Sequence, residues 1–112
     1  MINISSSSQI YIYSAITDMR KSIGGLSMLV EEAFTGELLS GSFFVFCNRH
    51  RNRVKILYWD TDGFALWYKR LEKGKFKFCQ SGPNYMLERK ELLALLEGVM
   101  PVAYEKRFSL KN

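Results

Sequence analysis

Residues that supply catalytic and metal-binding chemistry are scarce in this chain. Its 112 residues include one histidine, His50, and two cysteines, Cys47 and Cys79. A zinc site uses about four ligands, so these three residues do not form one without further soft ligands. Two cysteines also fall short of the disulfide framework that stabilises small secreted domains. We predict free thiols, no metal, no cofactor and no catalytic residue.

Long hydrophobic runs are missing as well. No apolar stretch approaches the roughly 20 residues of a membrane-spanning helix. The first residues, MINISSSSQIYIY, lack the basic start and the apolar core of a signal peptide. We therefore expect a cytoplasmic protein that has no membrane partner.

Acidic residues are few in one long segment, and positive charge is concentrated there. Residues 43–78 contain nine Lys or Arg and three Asp or Glu, a local charge of +6 in a chain whose net charge is +5. The basicity of the protein therefore belongs to this segment. Such a concentration suits a polyanionic partner, but it also keeps a hydrophobic sheet soluble.

The same segment has the periodicity of β-strands. Apolar and polar residues alternate along it, and short turn signals such as Asp60-Thr61-Asp62-Gly63 separate the runs. We predict strands at Phe43–Cys47, 54–60, 64–71 and 75–78, with one more short strand within residues 9–14.

Two amphipathic helices flank this predicted sheet. The first should begin at an N-cap, Thr17, and end at about Phe34, with Gly24-Gly25 in its middle. The second should begin near Glu88 and end at Gly98 or Pro101. The element order predicts an α+β fold, an antiparallel meander sheet of about four to five strands with two helices packed on one face. We expect one domain, residues 1–112, with flexible ends at 1–8 and 102–112.

One acidic pair requires a decision between a metal site and a turn. Asp60 and Asp62 precede Gly63, as at the start of a calcium-binding loop, but the twelfth position of that loop would be Leu71 and not Glu. A two-metal nuclease would need further carboxylates, and Glu72 is the acid nearest in sequence. We favour the turn and keep a metal nuclease as a third hypothesis.

The basic segment offers a surface for nucleic acid. Arginine guanidinium groups bind phosphate through two parallel hydrogen bonds, and aromatic side chains between cations provide platforms for bases. From the residues alone, a second interpretation stays open, in which the aromatics form the core and the charges only keep the sheet soluble. The candidate nucleic-acid-binding residues are Arg49, Arg51, Arg53, Lys55, Lys69 and Arg70, and the candidate partner-binding residues are Tyr58, Trp59, Trp67 and Tyr68.

Six short runs resemble one known family, in the same order. They are TDMRK (17–21), FFVF (43–46), KILYWD (55–60), DGF (62–64), LWYKRL (66–71) and LLEG (95–98). Over about residues 10–100 the chain resembles the small TnpB accessory protein, the second open reading frame, of the insertion-sequence family numbered sixty-six. The sequence departs from that pattern at Cys47, where a basic residue is expected, and at Glu88, where a capping Thr is usual.

The resemblance implies a role in DNA transposition beside a separate transposase that carries the acidic catalytic residues. We therefore expect a non-enzymatic accessory protein that binds DNA through a basic aromatic sheet and an Arg-rich turn. The alternative is a protein-interaction module that docks on the transposase without touching DNA. Expected partners are DNA and the transposase of the same element, with self-association into a homo-oligomer as a further possibility.

Overall fold

The computed structural model describes residues 2–78 and 80–97. Cys79, the predicted helix ends at Gly98 or Pro101 and the predicted flexible end at 102–112 lie outside the described residues. In the N-terminal segment, Ile2 and Ile4 are buried in the hydrophobic core.

A five-stranded sheet lies at the centre of the fold. Its strands are β1 (Ile10–Ile12), β2 (Phe43–Cys47), β3 (Arg53–Asp60), β4 (Gly63–Arg70) and β5 (Tyr85–Leu87), and its helices are α1 (Ile23–Ala33) and α2 (Arg89–Leu96). The strand order is β4-β3-β2-β1-β5, with β1 and β2 parallel and the other neighbours antiparallel. The α+β class and the mostly antiparallel sheet are confirmed. Only β2, β3 and β4 form a meander, because α1 connects the parallel pair β1 and β2.

The helices pack on opposite faces of the sheet, so the prediction that both cover one face is wrong. All five residues of β2 are buried. Its odd-numbered residues pack with Leu92, Leu95 and Leu96 of α2, and its even-numbered residues pack with Leu26 and Val30 of α1. A strand that is apolar at every position, like FFVFC, is typical of burial on both faces.

Helix α1 begins later than the sequence predicts, at Ile23 and not at Thr17. Thr17 is buried, and its backbone N–H donates to the carbonyl oxygen of Cys47 at 3.0 Å. The carboxylate of Asp18 accepts the backbone N–H of Arg20 at 2.9 Å, which closes a turn. Residues with short polar side chains compete with helix in this way, so the capping signal at Thr17 marks a loop.

Residues 75–78 form no strand, which corrects the predicted fourth strand, and the sequence pattern did not indicate β5. The alternation of lysine and phenylalanine in residues 75–78 has a different cause. Phe76 and Phe78 are buried in the core on the α2 face, while the lysines beside them are exposed. The backbone N–H of Phe76 donates to the carbonyl oxygen of Arg51 at 2.6 Å, outside the sheet. The burial of two phenylalanines thus explains the alternation of apolar and polar residues in a segment that does not pair as a strand.

Candidate nucleic-acid interface

Strand direction and hydrogen bonds place three segments together at one end of the sheet. Residues 48–52 join β2 to β3 there, and β4 ends beside Arg53, the first residue of β3, because the two strands are antiparallel. The loop after β1, residues 15–22, starts at the same end because β1 runs parallel to β2. The loop after β4 returns across this end, where the N–H of Leu71 donates to the carbonyl oxygen of Asn52 at 2.7 Å. We name residues 15–22, 48–53 and 69–78 the basic end.

The basic end contains ten cationic side chains and two acidic ones. The cations are Arg20, Lys21, Arg49, Arg51, Arg53, Lys69, Arg70, Lys73, Lys75 and Lys77. Each acid pairs with an arginine, Asp18 with Arg20 at 2.7 Å and Glu72 with Arg70 at 3.1 Å. At the opposite end of the sheet, the β3–β4 turn carries Asp60 and Asp62. The molecule is therefore polarised along its strands.

The turn that carries the arginines is tight rather than a protruding arm. The side-chain oxygen of Asn48 accepts the backbone N–H groups of Asn52 and Arg53, both at 3.0 Å. Arg51 has a positive φ of 56°, which such a turn requires. Arg49 is exposed, whereas Arg51 and Arg53 are half-buried. The guanidinium groups are thus attached to a braced backbone.

Two predicted binding residues, Lys55 and Lys69, use their ammonium groups inside the protein. Lys55 Nζ donates to the carbonyl oxygens of Met19 and Lys21 at 2.8 and 2.7 Å, which fixes the loop before α1. Lys69 Nζ donates to the carbonyl oxygen of Leu96 at 2.6 Å, at the end of α2. Their charges add to the potential of the basic end, but their positions serve the scaffold.

The four predicted partner-binding aromatics divide between the two faces of the sheet. In the β3–β4 ladder, Trp59 lies opposite Phe64, and Trp67 lies opposite Ile56. Trp59 and Tyr68 therefore face α1, while Tyr58 and Trp67 face α2, so the two tryptophans project from opposite faces of the sheet. Tyr68 is 48% exposed, and Lys55 Nζ lies 5.7 Å from its ring centroid.

Burial determines the reactivity of Cys47, the cysteine beside the turn. Burial raises the pKa of the Cys47 thiol to about 12, against a smaller lowering by a backbone hydrogen bond at Asn48 and by the charge of Arg51. The reactive form of a cysteine is the thiolate. Cys47 is therefore a core residue and not a nucleophile at neutral pH.

The acidic pair of the β3–β4 turn lies apart from other metal-binding side chains. Asp60 and Asp62 flank Thr61, and the N–H of Asp62 donates to the carbonyl oxygen of Asp60 at 2.5 Å. No three His, Cys, Asp or Glu side chains of residues 2–78 and 80–97 lie close enough together to hold a metal ion. No helix among the same residues has the length and apolar character needed to cross a membrane.

Comparison with known protein families assigns the chain to one of them. A family model described as "IS66 Orf2 like protein" matches residues 8–106. The chain belongs to the IS66 Orf2-like family. The IS66 Orf2-like proteins are accessory proteins of transposition and not known enzymes, and membership supports a role in insertion-sequence transposition.

Two relatives of this IS66 Orf2-like protein come from Sinorhizobium fredii (strain NBRC 101917 / NGR234). "Uncharacterized protein y4jC" is 36% identical over 78 residues, which are 70% of this chain and 67% of the relative. "Uncharacterized protein y4hO" is 30% identical over 92 residues, which are 81% of this chain and 80% of the relative. No solved structure matches.

Sequence reasoning missed some cations of the basic end. The helix predicted from Thr17 includes Arg20 and Lys21, and the sequence pattern does not place Lys73, Lys75 and Lys77 beside the arginines. The signal for the first two was the strand–helix–strand pattern of β1, α1 and β2, which favours a parallel pair. Parallel pairing brings the end of β1 to the end of β2. The position of the three lysines depends on Phe76 and Phe78, and periodicity alone did not indicate it.

Proposed function

We propose that this IS66 Orf2-like protein is a non-catalytic accessory factor that binds DNA of its insertion sequence through the basic end. The observation that carries the proposal is the charge distribution at that end. Ten Lys or Arg side chains meet there, and the two acids present are each held by an arginine. An uncompensated cationic surface of this density attracts a polyanion from solution.

The exposed cations bind the DNA in this proposal. Arg49 on the turn and Lys73, Lys75 and Lys77 on the following loop are all exposed. Since cations bound to phosphates release counterions, binding should weaken as salt increases. Phosphate binding of this kind orients a protein on DNA but does not read sequence, so the transposase or hydrogen bonds to bases must supply specificity for the element.

The test is fluorescence anisotropy with labelled duplexes, one from the element terminus and one of unrelated sequence, over a range of salt. We compare wild type with the double variant Lys73→Gln/Lys75→Gln. The control is Lys90→Gln. Lys90 is an exposed lysine in the first turn of α2 and lies at the opposite end of that helix from Leu96, which Lys69 contacts. The log–log salt slope should become shallower by roughly 0.9 for each phosphate that the variant no longer neutralises, and the control should keep the wild-type slope. DNA binding that is absent in wild type, or equally weakened by the control, would contradict the proposal.

Docking on the transposase is the second candidate, and the exposure of β4 favours it. No residue of β4 is fully buried, and Tyr68 is 48% exposed beside the strand centre. Co-precipitation with purified transposase, comparing wild type with Tyr68→Glu, tests whether the exposed surface of β4 binds the transposase. If Tyr68→Glu abolishes transposase binding and wild type binds no DNA alone, the docking function replaces the DNA-binding one.

A further inference from the structure

A groove opens within the basic end, between the loop before α1 and the arginine turn. Its volume is about 530 Å³. Its lining includes three arginines and the single histidine of the chain, and the lining residues used below are Asp18, Arg20, Arg49, His50 and Arg53. The two walls are joined by the hydrogen bond between the N–H of Thr17 and the carbonyl oxygen of Cys47. The groove is therefore a built feature of the fold.

The one carboxylate in the groove is already satisfied. Asp18 accepts hydrogen bonds from the Arg20 guanidinium at 2.7 and 3.1 Å and from the Arg20 backbone N–H at 2.9 Å. These bonds lower the pKa of Asp18 to about 2. Among residues 2–78 and 80–97, neither Arg49 nor Arg53 forms an ion pair. The groove therefore keeps uncompensated positive charge on its turn side.

Arg53, which lines the groove, has one unused hydrogen-bond donor. Its Nε atom is buried and has no partner in the part of the chain that the structure describes. A buried donor without an acceptor destabilises the folded protein, so a ligand oxygen that reaches this atom would remove that cost. The backbone of Arg53 is held by Asn48 at 3.0 Å, which keeps the guanidinium stem in place.

We propose that this groove seats one phosphodiester group of the DNA backbone, with Arg53 and Arg49 as its ligands. The inference rests on the proposed function and names the interaction that positions the duplex. A guanidinium fork matches two phosphate oxygens, and Arg53 Nε is a donor without a partner among the described residues. Arg20 forms the opposite wall, and its bonds to Asp18 keep that carboxylate from competing with the phosphate for Arg49 and Arg53.

The first experiment observes the arginine side chains directly. Nitrogen–proton NMR of the arginine Nε–H groups is recorded while inorganic phosphate is added, with sodium chloride at equal ionic strength as the reference titration. The Arg53 and Arg49 signals should shift and saturate with phosphate and not with chloride. In Arg53→Lys, which keeps the charge but removes the fork, the saturable shift of Arg49 should weaken. Equal responses to phosphate and chloride would overturn the seat.

The second experiment uses DNA and separates the seat from the general attraction of the basic end. Arg53→Gln and Arg49→Gln should each make the salt slope for a hydroxyl-ended duplex shallower by roughly 0.9, while Lys90→Gln leaves it unchanged. The exposed Arg49 keeps the test valid if Arg53→Gln does not fold. Wild-type binding with slopes that neither arginine variant alters would overturn the seat and remove Arg49 from the interface, while a shallower slope in Lys73→Gln/Lys75→Gln would still support DNA binding through the basic end.

A third experiment tests whether the groove binds a backbone phosphate or a phosphate at the end of the DNA. A duplex with 5′-phosphates is compared with the hydroxyl-ended duplex of the same sequence. Equal Arg53 shifts with both would support a backbone phosphodiester. A shift only with the phosphorylated duplex would show a terminal phosphate and overturn the backbone assignment. If wild type binds no DNA at all, the proposed function fails together with the backbone seat, whatever inorganic phosphate does.

Discussion

The ammonium group of Lys69 lies 2.6 Å from the carbonyl oxygen of Leu96, the last residue of α2. The last carbonyls of a helix have no partner within the helix, and the negative end of the helix dipole attracts a cation. Lys69 satisfies both requirements from strand β4. The cations of this protein therefore divide into those that hold the scaffold and those that face solvent.

Replacing Lys69 should reduce stability more than it reduces DNA binding. Lys69→Met removes a charged hydrogen bond and a helix-end charge, and we expect the free energy of unfolding to fall by about 1–3 kcal/mol. Urea denaturation followed by circular dichroism measures it. The control is Lys73→Met, which removes an exposed lysine of the same end and should change stability by less than about 0.5 kcal/mol. Equal stability of the two variants would mean that the hydrogen bond between Lys69 and Leu96 does not stabilise the fold.

Replacing Lys55 should loosen the start of α1. Its ammonium group bonds two carbonyl oxygens of the preceding loop, those of Met19 and Lys21. Lys55→Met removes these bonds, and amide hydrogen exchange should accelerate in the first turn of α1, where Leu26 N–H bonds the carbonyl oxygen of Ser22. Exchange in the β2–β3 ladder should stay as in wild type. Uniform acceleration across the sheet would instead indicate a global loss of stability.

Cys47 should make stability fall at alkaline pH. Its pKa is raised by burial to about 12 in the folded protein, from an ordinary value of 9.0. Above pH 9 the unfolded chain loses the thiol proton first, so the contribution of Cys47 is full below that pH and is lost as the pH rises toward 12. The free energy of unfolding should fall by up to about 1.4 kcal/mol for each pH unit in this window.

The control for this prediction removes the thiol. Denaturation is compared between Cys47→Ala and wild type, each carrying Cys79→Ala so that one cysteine is tested. The alanine variant should start less stable, because a buried side chain is truncated, and it should show a shallower fall between pH 9 and 12. Parallel curves would mean that the thiol does not titrate as described.

A change at the β3–β4 turn should stabilise the protein. Thr61 has a positive φ of 60°, a conformation that is unfavourable for a β-branched residue. Thr61→Gly removes the strain, and Thr61→Asn reduces it, so the free energy of unfolding should rise by about 1 kcal/mol for Gly and by less for Asn. Thermal denaturation at fixed pH measures both variants. A loss of stability in both would show that the threonine side chain makes an interaction that outweighs the strain.

The sequence by itself determined the strands of the meander and the site of positive charge. A short apolar run predicts β2, and alternating apolar residues predict β3 and β4, each to within a few residues, because both patterns are local properties. The charge of residues 43–78 depends on composition alone. The family resemblance, carried by short contiguous runs, is confirmed by the match over residues 8–106.

Only the tertiary structure decided which residues share a face or an end. The β3–β4 turn places two residues between Asp60 and Gly63, which pair, so Trp59 and Trp67 project to opposite faces. A turn longer by one residue would reverse this, because side chains alternate with a period of two. The parallel pairing of β1 with β2 likewise brings Arg20 beside Arg49 across a long gap in sequence. Such relations depend on how strands pair, and pairing is set by the packing of the whole core rather than by any local pattern.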